Sequence, residues 1–321
     1  MKRRNWIAIS AALLMTASLQ AQPNNKPVRI VVSFAPGGPV DFTARTIAEP
    51  LGRALGRTVI IENKPGANGA IGAAEVLRAE ADGSTLWITS VGAAAINPAL
   101  YDKLAYNPQR DFVPVSLVTN NVEVFVTGVK ETARDVPEFV ATAKSSKGGQ
   151  AIASSGRGSI PHLALAQLEL ATSVDFLHVP YNGMAPALND LLGGQVSGAF
   201  ADVAAVMAQI KAGRLKALGV AAPKRHPGLP EVKTFEEQGI RGMDTNNWYA
   251  LFASAKTPPA VVDALSKAVQ KAVADPAASA RLLQAGAEPR SSTSQELAGL
   301  LKSDTEKWAR LIKARNITAD Q

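Results

Sequence analysis

Ala151-Ile152-Ala153-Ser154-Ser155-Gly156-Arg157-Gly158-Ser159-Ile160-Pro161-His162 is the stretch from which the architecture can be read. A short apolar run at 151–153 reads as a strand, and a helical pattern runs on through Leu170. Between them, Ser155, Gly156 and Gly158 let the backbone turn sharply. Ser159 is placed to cap the helix, and Pro161 fits its first turn, where a missing N–H is no loss. Such a loop leaves N–H groups aimed at one point. Helix-end partial charge adds to them, so an anion such as a carboxylate or phosphate is expected there. A second strand and turn, Val179-Pro180-Tyr181-Asn182-Gly183, closes the unit.

The same logic appears toward the amino terminus. Residues 28–34 read as a buried strand that ends at Ala35-Pro36-Gly37-Gly38-Pro39-Val40-Asp41. With Gly38 as cap, Pro39 takes the first helical position and Asp41 the first turn. The helix carries Ile47, Leu51 and Leu55 and stops near Gly56. Strands at 58–61 and 85–89 flank a helix at 69–79, which is the pattern of parallel strands with crossovers. Residues 90–95 are expected to form another loop at the same end of the sheet, where open α/β sheets bind ligands.

Beyond Asn120-Asn121 the pattern repeats. Helices are expected at 136–144, 185–192 and 201–212, with strands at 176–179, 196–200 and 215–220. A strand at 248–253 reads as the return to the first unit, and the tail from 258 to 312 reads as helical. The expected division is a leader at 1–21, a first lobe of 22–120 and 248–321, and a second lobe of 121–247. Two α/β lobes joined by two crossings make a hinge with a cleft between them.

The leader is Lys2-Arg3-Arg4, an apolar segment from Trp6 to Leu19, then Gln20-Ala21, in the order of a secretory signal peptide. Its apolar part is shorter than the roughly 20 residues of a membrane span. The 321-residue chain has 46% hydrophobic residues and 34 Lys and Arg against 27 Asp and Glu. Three of those basic residues lie in the leader, so no run dense enough for nucleic acid remains. Zero cysteines exclude a disulfide framework, a lipid-modified cysteine and thiol chemistry.

Catalytic signatures are few. Zinc-ligand pairs, a nucleophile elbow and a phosphate-binding loop with its lysine are all missing, and the start at Gly156-Arg157-Gly158 fails as a dinucleotide fingerprint because Pro161 takes the third glycine position. His178 lies in an apolar strand and reads as a packed residue. His162 either lines the cleft or caps its helix. Asp41 either stabilises its own helix start or orders the 36–40 loop and holds a water or an ammonium. Arg157 reads as a solvated loop charge or as the partner of a ligand carboxylate. Tyr181 suits a pocket wall or the core.

These residues resemble the Bug (TctC) family, the periplasmic solute-binding proteins of tripartite tricarboxylate transporters. The resemblance runs in order through Pro36-Gly37-Gly38 with Asp41, Ala81-Asp82-Gly83, Ile96-Asn97-Pro98-Ala99-Leu100-Tyr101, the Ser155-to-Leu163 stretch, Val179 to Gly183, Pro186 to Leu191 with Gly193-Gly194-Gln195, and Lys211 to Leu215. It implies an α/β, two-lobed periplasmic-binding-protein (Venus-flytrap) fold, each lobe a mostly parallel sheet flanked by helices, with two crossover strands. It also implies that one carboxylate of an organic acid is gripped between the two loops. The expected ligand-binding set is Phe34, Pro36, Gly37, Gly38, Val40 and Asp41, then Ser90, then Ser154, Ser155, Gly156, Arg157, Ser159 and His162, with Tyr181 and Asp202. Val40 stands where the family usually has Thr, and Ala93 to Ala95 and Pro161 also depart from common members. These positions are expected to face the variable end of the ligand.

The expected protein is a monomeric periplasmic receptor that delivers a small carboxylate to the membrane components of a tripartite transporter, with no cofactor, metal or nucleic acid. A receptor of the same fold that signals through a membrane histidine kinase is the alternative. A carboxylic-acid hydrolase using Asp41 and His162 is a third reading.

Overall fold

The computed structural model describes residues 26–66, 69–146, 149–181 and 183–319. The expected leader and Asn182 lie outside these residues.

Val28–Val32 forms β1 and shows how the first sheet is buried on both faces. Val28, Ile30 and Val32 enter one core with Ile47 and Leu51, while Val31 enters the other beside Trp87. That is the period-2 alternation of a strand covered on both sides. Helix α1, Pro39–Leu55, starts at Gly38 with Pro39 first and Asp41 in its first turn, as expected. It ends at Gly56, whose φ of 63° lets its N–H turn back to Gly52 and Arg53 carbonyls.

β2 (Val59–Asn63), α2 (Ala70–Arg78) and β3 (Thr85–Ser90) follow. The loop expected at 90–95 is instead a π-helical turn, Gly92–Ile96, running into α3, Asn97–Leu100. Apolar burial drives the coiling: Ala93, Ala94, Ala95 and Ile96 are wholly covered. The Tyr106 hydroxyl donates to the Ala93 carbonyl at 2.6 Å and fixes the turn. The alanines therefore do not face a ligand.

α4 (Pro108–Asp111) leads into β4 (Phe112–Asn121), and β5 (Glu123–Gly128) opens the second sheet. Next come α5 (Val136–Ser145), β6 (Ala151–Ser154), α6 (Ile160–Thr172), β7 (Leu177–Pro180) and α7 (Met184–Gly193). β8 (Gly198–Asp202), α8 (Val203–Lys211) and β9 (Leu215–Val220) complete that sheet. The helix expected from 201 starts two residues later because Ala201 and Asp202 still pair with β5.

β10 (Asn247–Ser254) returns to the first sheet, followed by α9 (Pro259–Val273), α10 (Pro276–Gln284), β11 (Glu288–Pro289) and α11 (Ser294–Ala314). The tail is thus interrupted by a short strand that pairs with β4.

The sheets run β11–β4–β10–β3–β1–β2 and β7–β6–β8–β5–β9. In the first, β2, β1, β3 and β4 point one way and β10 and β11 oppose them. In the second, β5 alone is reversed. The reversed strands β5 and β10 are those that follow each passage between the sheets, and the Asn121 amide donates to the Asn247 carbonyl at 2.9 Å where the passages meet.

Helix α6 belongs to both bodies. Ile160, Leu163 and Ala166 pack with Trp87, Trp248 and α11, while Ala164, Leu165 and Leu168 pack with Phe125 and Phe139 of the second sheet. Leu170, the expected end of the apolar stripe, is exposed because it falls beyond both cores.

Candidate functional site

A cleft of about 570 Å³ lies where the two sheets face each other. One wall comes from Phe34, Pro39 and Val40 after β1 and from Ser90, Gly92 and Tyr101 after β3. The other comes from residues 155–161, Gly183 and Asp202, with Asn247 and Tyr249 of β10 between them. Of the expected set, Phe34, Val40, Ser90, Ser155, Gly156, Arg157, Ser159 and Asp202 line it. Pro36, Gly37, Gly38, Asp41, Ser154, His162 and Tyr181 stand outside that lining. Pro161 does line the cleft, unlike the alanines.

The turn after β6 is held from within. Gly156 has φ 136° and Gly158 φ 69°, values that favour glycine. Ser159 caps α6, its hydroxyl donating to the Gly156 carbonyl at 2.6 Å and accepting from His162 N–H at 3.4 Å. The Gly156 N–H donates to Ser154 Oγ and the Gly158 N–H to His162 Nδ1 at 2.9 Å. These bonds use up glycine donors that the sequence suggested for a ligand. The N–H groups of Ser155, Arg157 and Ile160 have no partner among the described residues. The donor array is therefore offset by one position, and Gly158 serves a different purpose. A Cβ there would meet Leu100 Cδ2 of the facing lobe at 2.2 Å, so its bareness lets α6 dock.

His162 neither lines the cleft nor stays free: it accepts from the loop and stacks on His178 at 3.8 Å. His178 Nε2 lies 2.7 Å from Ser154 Oγ. Burial lowers the His162 pKa to about 3, helped by His178 and Arg157, and burial with Arg157 lowers His178 to about 4. Both rings are neutral near pH 7, which the acceptor role of Nδ1 requires.

Asp41 orders the first loop. Its carboxylate accepts from Gly37 N–H at 2.9 Å, from Arg45 Nε and from Asn63 Nδ2. Burial pushes its pKa up, but the bonds from Arg45, Gly37 and Asn63 outweigh it and hold the carboxyl below its usual value. Tyr181 donates to Asp190 at 2.7 Å, away from the cleft, and burial and that carboxylate raise its pKa to about 12.

Asp202 faces the cleft from the end of β8. Its oxygens accept from Asn247 Nδ2 at 3.1 and 3.2 Å and from the Tyr249 hydroxyl at 3.3 Å. Directly across the β5–β8 pair sits Glu123, wholly buried, its carboxyl within hydrogen-bond reach of Asp202 and Asn247. Burial first and the Asp202 charge second push Glu123 well above the carboxylate range, while burial raises Asp202 to about 6. Sequence reasoning passed over Glu123, Asn247 and Tyr249. A lone acid inside the apolar run Val122-Glu123-Val124-Phe125-Val126 was the available signal.

Arg157 is exposed at the rim and makes no ion pair among the described residues. Among the same residues no group of three His, Cys, Asp or Glu could hold a metal ion, and no helix is long and apolar enough to cross a membrane.

Two α/β lobes with a polar cleft at their hinge define a solute-binding receptor of the periplasmic type. The profile of the tripartite tricarboxylate transporter family receptor, TctC, matches residues 43–317, and the chain belongs to that family. It is 36% identical, over 99% of its length and 96% of the relative's, to a protein encoded in the tcbD-tcbE intergenic region of Pseudomonas sp.. The solved periplasmic binding protein BugD is 35% identical with a TM-score of 0.78, covering 91% of this chain and 98% of that one. MatC from Rhodopseudomonas palustris, solved with bound malate, is 33% identical with a TM-score of 0.77, covering 89% and 98%. The family and these neighbours are solute-binding receptors, not enzymes.

Proposed function

We propose that the protein captures a small organic carboxylate in the inter-lobe cleft and delivers it to a tripartite tricarboxylate-type transporter, after export directed by residues 1–21. The lobes that close are 22–120 with 248–321, and 121–247. The observation that carries this reading is the row of unpaired N–H groups at Ser155, Arg157 and Ile160, beside an Arg157 side chain without a counter-ion. A carboxylate there satisfies these unpaired donors and the helix end of α6 together. Malate bound in MatC supports the ligand class. Phe34, Val40, Tyr101 and Pro161 form the apolar wall that the remainder of the ligand meets.

Thermal unfolding against a panel of organic acids tests it. A ligand held by both lobes binds the folded chain only, so at about 100 times its Kd it adds roughly 2.7 kcal/mol. The amide of the best acid should lose most of that gain, because its N–H₂ would face the N–H groups of the loop. An amide as effective as its acid would rule out carboxylate capture.

A further inference from the structure

Two acids meet at the hinge with no base between them. Glu123 is the first residue of β5 and Asp202 the last of β8, and the strand register sets one opposite the other. Asn247, the first residue of the return strand β10, donates to both oxygens of Asp202, and the Tyr249 hydroxyl donates to one of them. The pair therefore touches both passages between the lobes. Glu123 is wholly covered, whereas Asp202, Asn247 and Tyr249 line the cleft.

A bond between two carboxyls needs a proton on one of them, and two like charges in contact repel, so the pair does not lose both protons together. Burial first and Asp202 second hold Glu123 well above the carboxylate range. The second proton is the mobile one. Burial raises Asp202 only to about 6, so at pH 7.5 the ligand-free pair carries one negative charge. Tyr249 is neutral there, since burial and then the two acids raise its pKa well above the ordinary value. Arg157 and Tyr101 line the same cleft, but no Lys or Arg pairs with either acid among the described residues. His162 and His178, behind the turn, are also uncharged at this pH, with values of about 3 and 4. Strands β6 and β8 are parallel neighbours with Ala153 opposite Ala199, so the turn and Asp202 leave the sheet from the same end. Neighbouring strands stand about 4.8 Å apart, and a carboxylate on the turn thus brings a second negative charge close to the first.

We propose that the Glu123–Asp202 pair is a proton-binding site linked to the ligand site, so that the protein captures a carboxylate and a proton together. This rests on the carboxylate reading above and adds a second, linked ligand to it. Solvent supplies the proton, which lodges on the singly charged pair and leaves both carboxyls neutral; no other bond is made or broken. The repulsion between Asp202 and the ligand is then gone. Because the bound state keeps this proton to higher pH than the free state, capture is tightest below about pH 6 and weakens as pH rises above it.

Isothermal titration calorimetry on the unfolded and refolded, ligand-free chain at about pH 7.5 counts the proton. Malate, adipate and benzoate are the probes, each titrated in phosphate and in Tris, whose heats of ionisation differ widely. The expected result is an uptake of about 0.5 to 1 proton per ligand, with Kd rising about three- to tenfold per pH unit between about pH 7 and 8. Carboxyls of this kind are ionised throughout that range, so the proton is not the ligand's own. In the double variant Glu123→Gln, Asp202→Asn the uptake should fall below about 0.2 proton and the pH dependence should flatten. Uptake that survives the double variant would overturn the proposal. If that variant does not fold, carboxyl carbon NMR on the unsubstituted protein decides: at about pH 7.5 the ligand should move one carboxyl from its ionised to its protonated position, and no such movement would overturn the proposal. Binding without proton uptake removes the proton site alone. No binding by any of the three acids removes it together with the carboxylate reading.

Discussion

Two buried titratable pairs pull the stability of the chain in opposite directions with pH. The stacked His162 and His178 have folded pKa values of about 3 and 4, below the ordinary 6.5. The unfolded chain therefore takes up protons first on acidification. Their contribution is intact above about pH 6.5 and is lost progressively as pH falls toward those values. The imidazole resonances of both rings should stay flat in NMR spectra from about pH 8 to 5; a transition near 6.5 would contradict the packing. Asp202 is raised from 3.8 to about 6, so the folded state holds its proton longer. Stability is then highest with the proton on and declines as pH rises through that window. Asp202→Asn should accordingly raise the melting temperature near pH 8, with a difference that shrinks below about pH 5. Circular dichroism melts across pH would show it. Asp41 has the ordinary sign: lowered, it stabilises above its unfolded value. Its replacement by Ala should cost about 1–3 kcal/mol in urea unfolding by releasing Gly37, Arg45 and Asn63.

At the level of the element, α6 decides whether the cleft exists. Its cap, Ser159, both starts the helix and ties down the Gly156 carbonyl. Ser159→Ala should lower stability by about 1 kcal/mol and weaken carboxylate binding as well. Gly158 acts through its neighbour rather than through the ligand. At φ 69°, with Leu100 Cδ2 at 2.2 Å from a built Cβ, Gly158→Ala should cost about 1–3 kcal/mol. Part of that loss should return in the double variant Gly158→Ala, Leu100→Ala, because the removed side chain makes room. If the two losses simply add in denaturant unfolding, the collision is not the cause.

Across the whole molecule, the lobes are joined by more than their two passages. Arg315, just after α11, pairs with Glu169 on α6 and lies 3.2 Å from Asp175. Burial raises the Glu169 pKa against the pull of Phe176 N–H and Arg315, so that carboxylate depends on the arginine. Arg315→Met should reduce stability by more than the below about 1 kcal/mol of an exposed pair. It should also increase the radius of gyration of the ligand-free chain in solution scattering, since α6 and α11 lose a polar clasp between the lobes. Unchanged scattering would place the clasp outside the closing motion.

The boundaries of α1 were legible because their signals are local: Gly38, Pro39 and Gly56 act through their own dihedrals and missing groups. The strand-and-helix order and the small-residue turn at 155–158 were legible for the same reason, and so was the family, whose motifs run nearly the length of the chain. Contacts between distant residues were not. Whether Ala93 to Ala95 form a loop depends on the core waiting to cover them, and whether Gly158 faces a ligand depends on Leu100 in the other lobe. His162 was left between two roles because its partner, His178, lies beyond the end of α6, on strand β7. Glu123 shows the limit most plainly. Its sequence neighbours mark a buried strand, but only the β5–β8 register sets it opposite Asp202 and gives the cleft its acidic pole. Local sequence fixes backbone preference; the chemistry of this site comes from side chains that folding brings together.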